Sequence, residues 1–410
     1  MSTSSPRVTY VEVLRVREFR AMFVSQGLSL IGDQMARLAI ALLVYERSGS
    51  AFAASATYGC SFLTWLVGGP ILSALADRHR RRQIMIVSDV ARGLLVALLL
   101  VAHPPLWLVF SVLVAVGLLA PPFESARSAI LPDIVSGEAY ATANTLINTT
   151  IQAAQVGGFF LGGLLVAAVS PRGALAIDVA TFAVSALMLK VAVRDRPATA
   201  VTKTTLLSDV SAGFSFVAHE PVLRALLTYG VLAAVVAIVP EGLAVAVASD
   251  DGNGAVAAGV LTAALPLGYV LASVAILRVP AERRPGLLRP LALLLCVPLL
   301  LTPFVPGTTL TALLWFTSGL GTSVQLVASV AYVAATPAAF RGRAFGIAST
   351  LLMLGQGTAL LLAGALAEVA GSRAVVAGTA ALGLLVVLLV GRTSRLGQMD
   401  LQESPSARRI

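Results

Sequence analysis

The sequence predicts an all-α membrane protein with twelve transmembrane helices in two six-helix halves. Three observations predict this fold. Apolar stretches recur along the whole chain, short basic segments separate them, and one longer polar segment divides them six and six. Because about twenty apolar residues in a helix span the hydrocarbon core of a bilayer, each stretch is interpreted as one membrane span.

The composition excludes a soluble domain. Hydrophobic residues make up 57% of the 410 residues and charged residues 12%, the mean hydropathy is +0.89, and a soluble domain carries about 25% charged residues. The net charge of +9 does not indicate a nucleic-acid partner, because the bases lie in loops and form no single stripe. Cys60 and Cys296 are far apart, and the three histidines lie at loops or span ends, so we predict no metal and no cofactor.

The first six spans make up an N-terminal half at residues 1–193. We place them near residues 20–45, 52–76, 83–102, 106–123, 141–169 and 172–193. The first span is predicted to be retained, because its apolar run is too long for a signal-peptide core and no small-residue cleavage site follows it.

A polar linker at residues 194–221 follows, and its amphipathic stretch at 206–218 is predicted to lie along the membrane surface. A second set of six spans makes up a C-terminal half at residues 222–391, before a tail at 392–410. We place these spans near residues 222–248, 254–278, 286–304, 307–333, 343–369 and 373–391.

The arginines and lysines predict the orientation. With the N-terminus inside, the inner segments hold twenty-four of the twenty-nine bases and the outer segments three, while Arg37 and Arg92 lie within spans. Basic loops stay in the cytoplasm, so both termini are predicted to be cytoplasmic. Arginine far outnumbers lysine, which with the alanine and valine content points to a GC-rich bacterium. We therefore predict a multi-pass protein of the bacterial inner membrane, in contact with its lipids.

Two six-helix halves around a central site are typical of secondary transporters. An ATP-driven pump is disfavoured because the sequence has no G-x4-G-K-[ST] phosphate loop, and a channel because it has no repeated charge rings. A polytopic membrane enzyme remains the alternative of a different class. It needs converging catalytic groups, such as a His–Asp pair or a metal cluster.

The loop after the second span carries the most specific motif. Four charged residues follow the pattern G-x3-D-R-x-G-R-R, namely Asp77, Arg78, Arg81 and Arg82. The loop resembles the signature of the major facilitator superfamily, with Ser73 and Arg80 at the two glycine positions. Arg80 is expected to avoid the left-handed backbone that glycine allows. The resemblance implies a gating loop that holds the halves together in the outward-open state, and we expect it to close onto Asp89 and Arg92. A topology anchor is the alternative.

Two further segments resemble the third drug:proton antiporter family, which includes macrolide and enterobactin exporters. Residues 127–135 and Ala143-Asn144 resemble its R-x-A-x-L-P-D-x-V…A-N segment, and residues 336–343 resemble the counterpart in the second half. The resemblance implies a carrier that exports a small amphipathic molecule, such as a drug, antibiotic, toxic metabolite or siderophore. It also implies proton antiport with rocker-switch alternating access, and we expect a monomer. An importer or a lysolipid flippase of the same fold remains the alternative.

The fifth span is rich in glycine. Residues 157–163 read G-G-F-F-L-G-G and resemble the antiporter motif G-P-x-x-G-G, with Phe159 in place of proline. Glycines let membrane helices approach closely. We predict such packing at Gly157, Gly158, Gly162 and Gly163, with or without a role in coupling.

Charged residues inside spans are functional candidates by default. Asp33 lies about 20 Å into the first span at 1.5 Å per residue, and we expect Arg37, one turn later, to pair with it. Protonation of Asp33 would then release Arg37. The alternative is a purely structural pair.

Further candidates lie in later spans. Asp178 is placed near the outer end of the sixth span, where its side chain can snorkel to water. Glu241 follows Pro240, which can open the helix locally, and its carboxylate can attract a cationic drug or carry a proton. Gln325 and Gln356 are candidate hydrogen-bond donors, and Tyr58 is interpreted mainly as a packing residue.

Overall fold

The computed structural model describes residues 9–101, 103–196, 219–337 and 340–393, and the regular secondary structure in these ranges is helical. The N-terminal half comprises α1 Tyr10–Arg15, α2 Arg17–Ser48, α3 Ala51–Arg78, α4 Arg81–Ala97, α5 Leu106–Ile134 and α6 Glu138–Ala192. The C-terminal half comprises α7 Pro221–Asp250, α8 Ala255–Leu277, α9 Leu288–Leu300, α10 Gly307–Thr322, α11 Val324–Ala335, α12 Arg341–Ala370 and α13 Ser372–Thr393. Short 3-10 helices lie at Leu98–Leu100, Ala281–Leu287 and Thr302–Phe304. The predicted amphipathic stretch at 206–218 lies outside the described residues.

These helices accommodate the twelve predicted passes. Among the described residues, ten segments are long and apolar enough to cross a membrane. One of them covers 51 residues of α6 and turns at Ser170, where the backbone is not helical. At 1.5 Å per residue, the part on each side of Ser170 is longer than the hydrocarbon core of about 30 Å, so the segment contains two passes. Helix α3, with 28 residues, provides the remaining pass between α2 and α4.

The last two passes of each half are joined by the same backbone turn. Ser170 has φ 84° and ψ 163°, and Gly371, between α12 and α13, has φ 85° and ψ 146°. An arginine follows two residues later in both turns. This region of φ and ψ is occupied almost only by glycine. The same turn nevertheless occurs in both halves, with serine in one of them, which indicates that the two halves are built in the same way.

The fourth span extends further than the sequence predicts. Helix α5 continues through Pro121 and Pro122 to Ile134, past the predicted end at residue 123. Glu124 and Arg127 therefore lie inside this helix and not at its end. They form an ion pair of 2.5 Å, and Gln26 of α2 donates to Glu124 over 3.3 Å.

We call the membrane side on which α2 ends and α3 begins the outer end. Arg373 lies at the outer end of the C-terminal half and contacts several of its loops. Its guanidinium donates to both carboxylate oxygens of Asp251 over 2.8 Å and to the carbonyl oxygens of Thr302 and Val305 over 2.9 Å. A planar guanidinium has five donors for such contacts, so this residue holds the loops around α8, α9 and α13 together.

Candidate functional site

Asp33 and Arg92 form an ion pair in the interior of the N-terminal half. Nη2 of Arg92, on α4, donates to both carboxylate oxygens of Asp33, on α2, over 2.8 and 2.7 Å. The guanidinium also lies over the ring of Phe182 at 4.5 Å. The predicted pair between Asp33 and Arg37 is therefore wrong. The reason is that the Asp33 carboxylate faces α4 across the helix interface, where an arginine binds both of its oxygens.

Two more carboxylates lie beside this pair. Asp89 accepts a hydrogen bond of 2.5 Å from Ser185 of α6, and its other oxygen has no partner among the described residues. Asp178 is 1% exposed, and a Cβ on Gly32 would lie 2.5 Å from its Oδ1. The prediction that Asp178 snorkels to water is wrong, because the part of α6 after Ser170 turns its side chain onto α2. Asp89 lies three residues before Arg92 on α4 but does not pair with it, because Asp33 takes that guanidinium.

A cavity of about 60 Å³ opens beside the cluster. Four charged residues line it, namely Asp33, Arg37, Arg92 and Asp178, and Ser61 and Trp65 of α3 contribute further polar and aromatic surface. A cavity of this volume has room for a few water molecules. Water can therefore reach these carboxylates, and only one of them, Asp33, is paired with Arg92. Such an arrangement can take up and release a proton.

The charged loop after α3 binds within its own half. Arg81 donates to the Ala129 carbonyl over 2.8 Å and pairs with Asp133 over 2.9 Å, both near the end of α5. Arg80 pairs with Asp195, and Arg82 donates to the Lys190 carbonyl, both near the end of α6.

The expectation that this loop closes onto Asp89 and Arg92 is wrong for the residues described. Both lie two to three turns deeper in α4, about 12 Å or more from Arg81 at 1.5 Å per residue. The side chains of Asp77 and Arg78 lie outside the described part of the structure. Arg80 has φ −61° and an extended backbone, so it avoids the left-handed region as expected.

The glycines of α6 lie at close helix contacts. A Cβ on Gly158 would lie 2.6 Å from Cβ of Gln34 on α2. On Gly162, it would lie 3.1 Å from Cα of Met35, also on α2. On Gly163, it would lie 2.8 Å from Cα of Gly259 on α8, in the other half. Gly157 has no neighbour within 4 Å of such a Cβ, so the predicted packing does not extend to it.

Contacts between the halves join their outer ends. Ser50 Oγ and the Phe52 backbone amide, at the start of α3, donate to one carboxylate oxygen of Glu368 on α12 over 2.7 and 2.9 Å. Ser55 donates to the Leu360 carbonyl over 2.7 Å. Sequence reasoning did not select Glu368. Ser50 before an apolar run is a readable helix start, but nothing local shows which acid reaches it from the other half.

Glu241 lies near the same junction. It is 7% exposed on α7, and the next residue, Gly242, would place a Cβ 3.0 Å from Ser55 Oγ. Helix α7 continues unbroken from Pro221 to Asp250, so the predicted local opening at Pro240 is not found. Gln325 and Gln356 are partly buried on α11 and α12.

Comparisons with known proteins agree with this architecture. The model of the Major Facilitator Superfamily matches residues 22–279. The multidrug efflux pump Tap of Mycolicibacterium fortuitum is 27% identical over 91% of this chain and 95% of its own length. The enterobactin exporter EntS of Shigella flexneri is 25% identical over 95% of both chains.

Solved structures are similar in fold. A bacterial homolog of the human lysosomal transporter Spinster, inward-facing and occupied, superposes with a TM-score of 0.71 at 14% identity, covering 95% of this chain and 98% of that one. The nucleoside transporter NupG superposes with a TM-score of 0.71 at 14% identity, covering 93% and 99%. At these identities the similarity concerns the fold alone.

Proposed function

The chain belongs to the Major Facilitator Superfamily, and we propose that it exports small amphipathic molecules across the bacterial inner membrane in exchange for protons. Efflux pumps and a siderophore exporter among its relatives support export. The excess of bases in the predicted inner segments supports cytoplasmic termini. We propose that the protein works as a monomer, since each chain of this fold has its own central site between the two halves.

The observation that carries proton coupling is the cluster around Arg92. Asp33 holds this guanidinium with both oxygens, while Asp89 and Asp178 lie within electrostatic reach. The other charged group on the cavity wall is Arg37, one turn from Asp33. A proton on Asp33 removes the ion pair and leaves Arg92 to the other two carboxylates. Because this changes the packing of α2 against α4 and α6, it can favour one of two conformations.

The described conformation fits the loading step of an exporter. The outer ends of the halves are joined through Ser50, Phe52 and Ser55, which supports a state in which access from the outside is closed at α3 and α12. A rocker-switch carrier has to break these contacts to release its substrate outside. Substrate is then taken from the cytoplasm in the state with a closed outer end.

The test is accumulation of a panel of antibiotics and dyes in cells expressing the protein, with and without a protonophore. We expect lower accumulation of at least one compound, and its return to the level of vector-only cells with the protonophore. Unchanged accumulation of every compound contradicts export, and higher accumulation indicates an importer. Transfer of a fluorescent lysolipid as the sole activity indicates a flippase.

Variants test the coupling in proteoliposomes with an imposed pH gradient. Asp33→Asn and Glu241→Gln are each expected to abolish the dependence of export on the gradient. The matched control is Glu46→Gln, since Glu46 is exposed at the end of α2. If both interior variants respond to the gradient like the wild type, these carboxylates do not carry the protons.

A further inference from the structure

Arg37 is a half-buried charge that the proton cluster does not use. It lies on the wall of the cavity in the membrane interior, and it has no hydrogen bond or ion pair with any described residue. Asp33, one turn away, is occupied by Arg92. A guanidinium in this environment normally pairs with an anion, so the structure leaves a place for one.

Glu241 is the corresponding charge in the other half. It is 7% exposed, and no described residue hydrogen-bonds to its carboxylate. It lies within electrostatic reach of Arg37, but the two do not form an ion pair. Opposite charges on different halves are thus left without a direct contact.

Tyr58 adds a polar group near both charges. It is 1% exposed and its hydroxyl has no hydrogen-bond partner among the described residues. Its ring lies 6.4 Å from that of Phe159, and both Arg37 and Glu241 act on its hydroxyl electrostatically. An unpartnered buried hydroxyl is costly, and an aromatic wall beside it suits the apolar body of an amphipathic ligand.

We propose that Arg37 and Glu241 bind the two opposite charges of a zwitterionic substrate, whose acidic group contacts Arg37 and whose amine contacts Glu241. This assignment rests on the proposed export function and names its substrate class. A purely cationic ligand leaves Arg37 unpaired, and a purely anionic ligand leaves Glu241 unpaired. A ligand with both charges satisfies both groups, and its carboxylate can also accept a hydrogen bond from the Tyr58 hydroxyl. It spans the two halves, so its affinity depends on their relative position, and this dependence is what shifts a carrier between its states.

The site also connects substrate and proton. A proton on Glu241 removes the negative charge that holds the amine, so the proton and the amine compete for one carboxylate. Competition of this kind is what exchange transport requires, because one site then binds either the proton or the substrate amine.

Three dansyl probes with the same fluorophore test the assignment on the purified full-length protein in nanodiscs. Nε-dansyl-lysine is a zwitterion, dansylcadaverine has the ammonium without the carboxylate, and 6-(dansylamino)hexanoate has the carboxylate without the ammonium. Dansyl fluorescence reports binding of each. We expect the wild type to bind the zwitterion about tenfold more tightly than either relative, as expected for one charge-assisted contact.

Variants then separate the two contacts. Arg37→Gln is expected to bind Nε-dansyl-lysine no better than dansylcadaverine, and Arg37→Lys to restore part of the preference. Glu241→Gln is expected to bind the zwitterion no better than the hexanoate. Arg172→Gln is the matched control, because Arg172 lies in the turn between the last two passes of its half, away from the site.

Two results overturn the assignment. Equal binding of the three probes by the wild type shows that the two charges are not a ligand site, for instance because they pair with each other in the other conformation. Weakening of all three probes by the same factor in Arg37→Gln shows a structural role. The antibiotic and dye panel tests export separately. Gradient-driven export without a preference for zwitterions overturns this assignment alone, whereas absence of any export overturns the proposed function.

Discussion

Removing the Glu368 carboxylate is expected to open the outer end of the protein. One oxygen of Glu368 accepts hydrogen bonds from Ser50 Oγ over 2.7 Å and from the Phe52 amide over 2.9 Å. It therefore caps the N-terminus of α3 from the other half. In the proposed rocker-switch cycle the halves separate at this end and both bonds are lost, so the cap is expected to stabilise the described conformation relative to the outward-open one.

The magnitude follows from capping energies. A side-chain cap at a helix N-terminus contributes about 1 kcal/mol, and a negative charge there adds about 0.3 to 1 kcal/mol. Because Glu368 is near the surface, water screens the charge term and we retain only the capping value. Glu368→Ala is then expected to raise the ratio of outward-open to outward-closed protein about fivefold. Glu368→Gln keeps an acceptor oxygen and is expected to raise it about twofold.

Distance measurements between spin labels check this expectation. Val101 and Phe304 are exposed near the outer ends of the two halves, and cysteines at these positions, with Cys60 and Cys296 replaced, take the labels. Glu46→Ala is the control, an exposed acid at the end of α2. A distance distribution in Glu368→Ala that matches those of wild type and Glu46→Ala refutes the reasoning.

Three further predictions concern other positions. Ser170→Gly is expected to stabilise the protein by about 1 kcal/mol, because glycine adopts the positive φ without strain; a lower thermal unfolding midpoint contradicts this. Arg373→Ala is expected to destabilise it by about 3 kcal/mol by breaking a largely buried ion pair, and an effect no larger than that of Arg172→Ala contradicts it. Gly163→Ala is expected to populate the longer label distance more than Gly157→Ala, because only at Gly163 would the added methyl group meet the other half. Equal distances refute that contact.

The spans were predictable because hydrocarbon imposes a simple constraint on each of them. Most predicted boundaries lie within a few residues of the observed helices, as for 52–76 and Ala51–Arg78. The fourth span is the exception, because the proline pair at Pro121 does not end the helix when the neighbouring helices pack around it. Local rules for proline describe an isolated helix in water, and membrane helices often retain proline within their length.

The partners of the interior charges were not predictable in the same way. Sequence spacing suggests pairs along one helix, as between Asp33 and Arg37, whereas the structure pairs Asp33 with Arg92 across two helices. The same holds for Asp178, whose position near a span end suggested access to water although the tertiary fold buries it. Spacing along a helix shows which ion pairs are possible within that helix. Packing between helices decides which ion pairs form.

The sequence by itself determined the membrane class, the number of passes, the two halves and the family, because hydropathy, charge asymmetry and the motif after α3 are all local properties of the chain. Only the tertiary structure decided which charges meet. Arg92 with Asp33, Glu368 with the start of α3, and the unpaired Arg37 near Glu241 all join residues far apart in sequence. Their contacts depend on how the helices rotate and cross, and those angles are set by the packing of side chains from several helices at once.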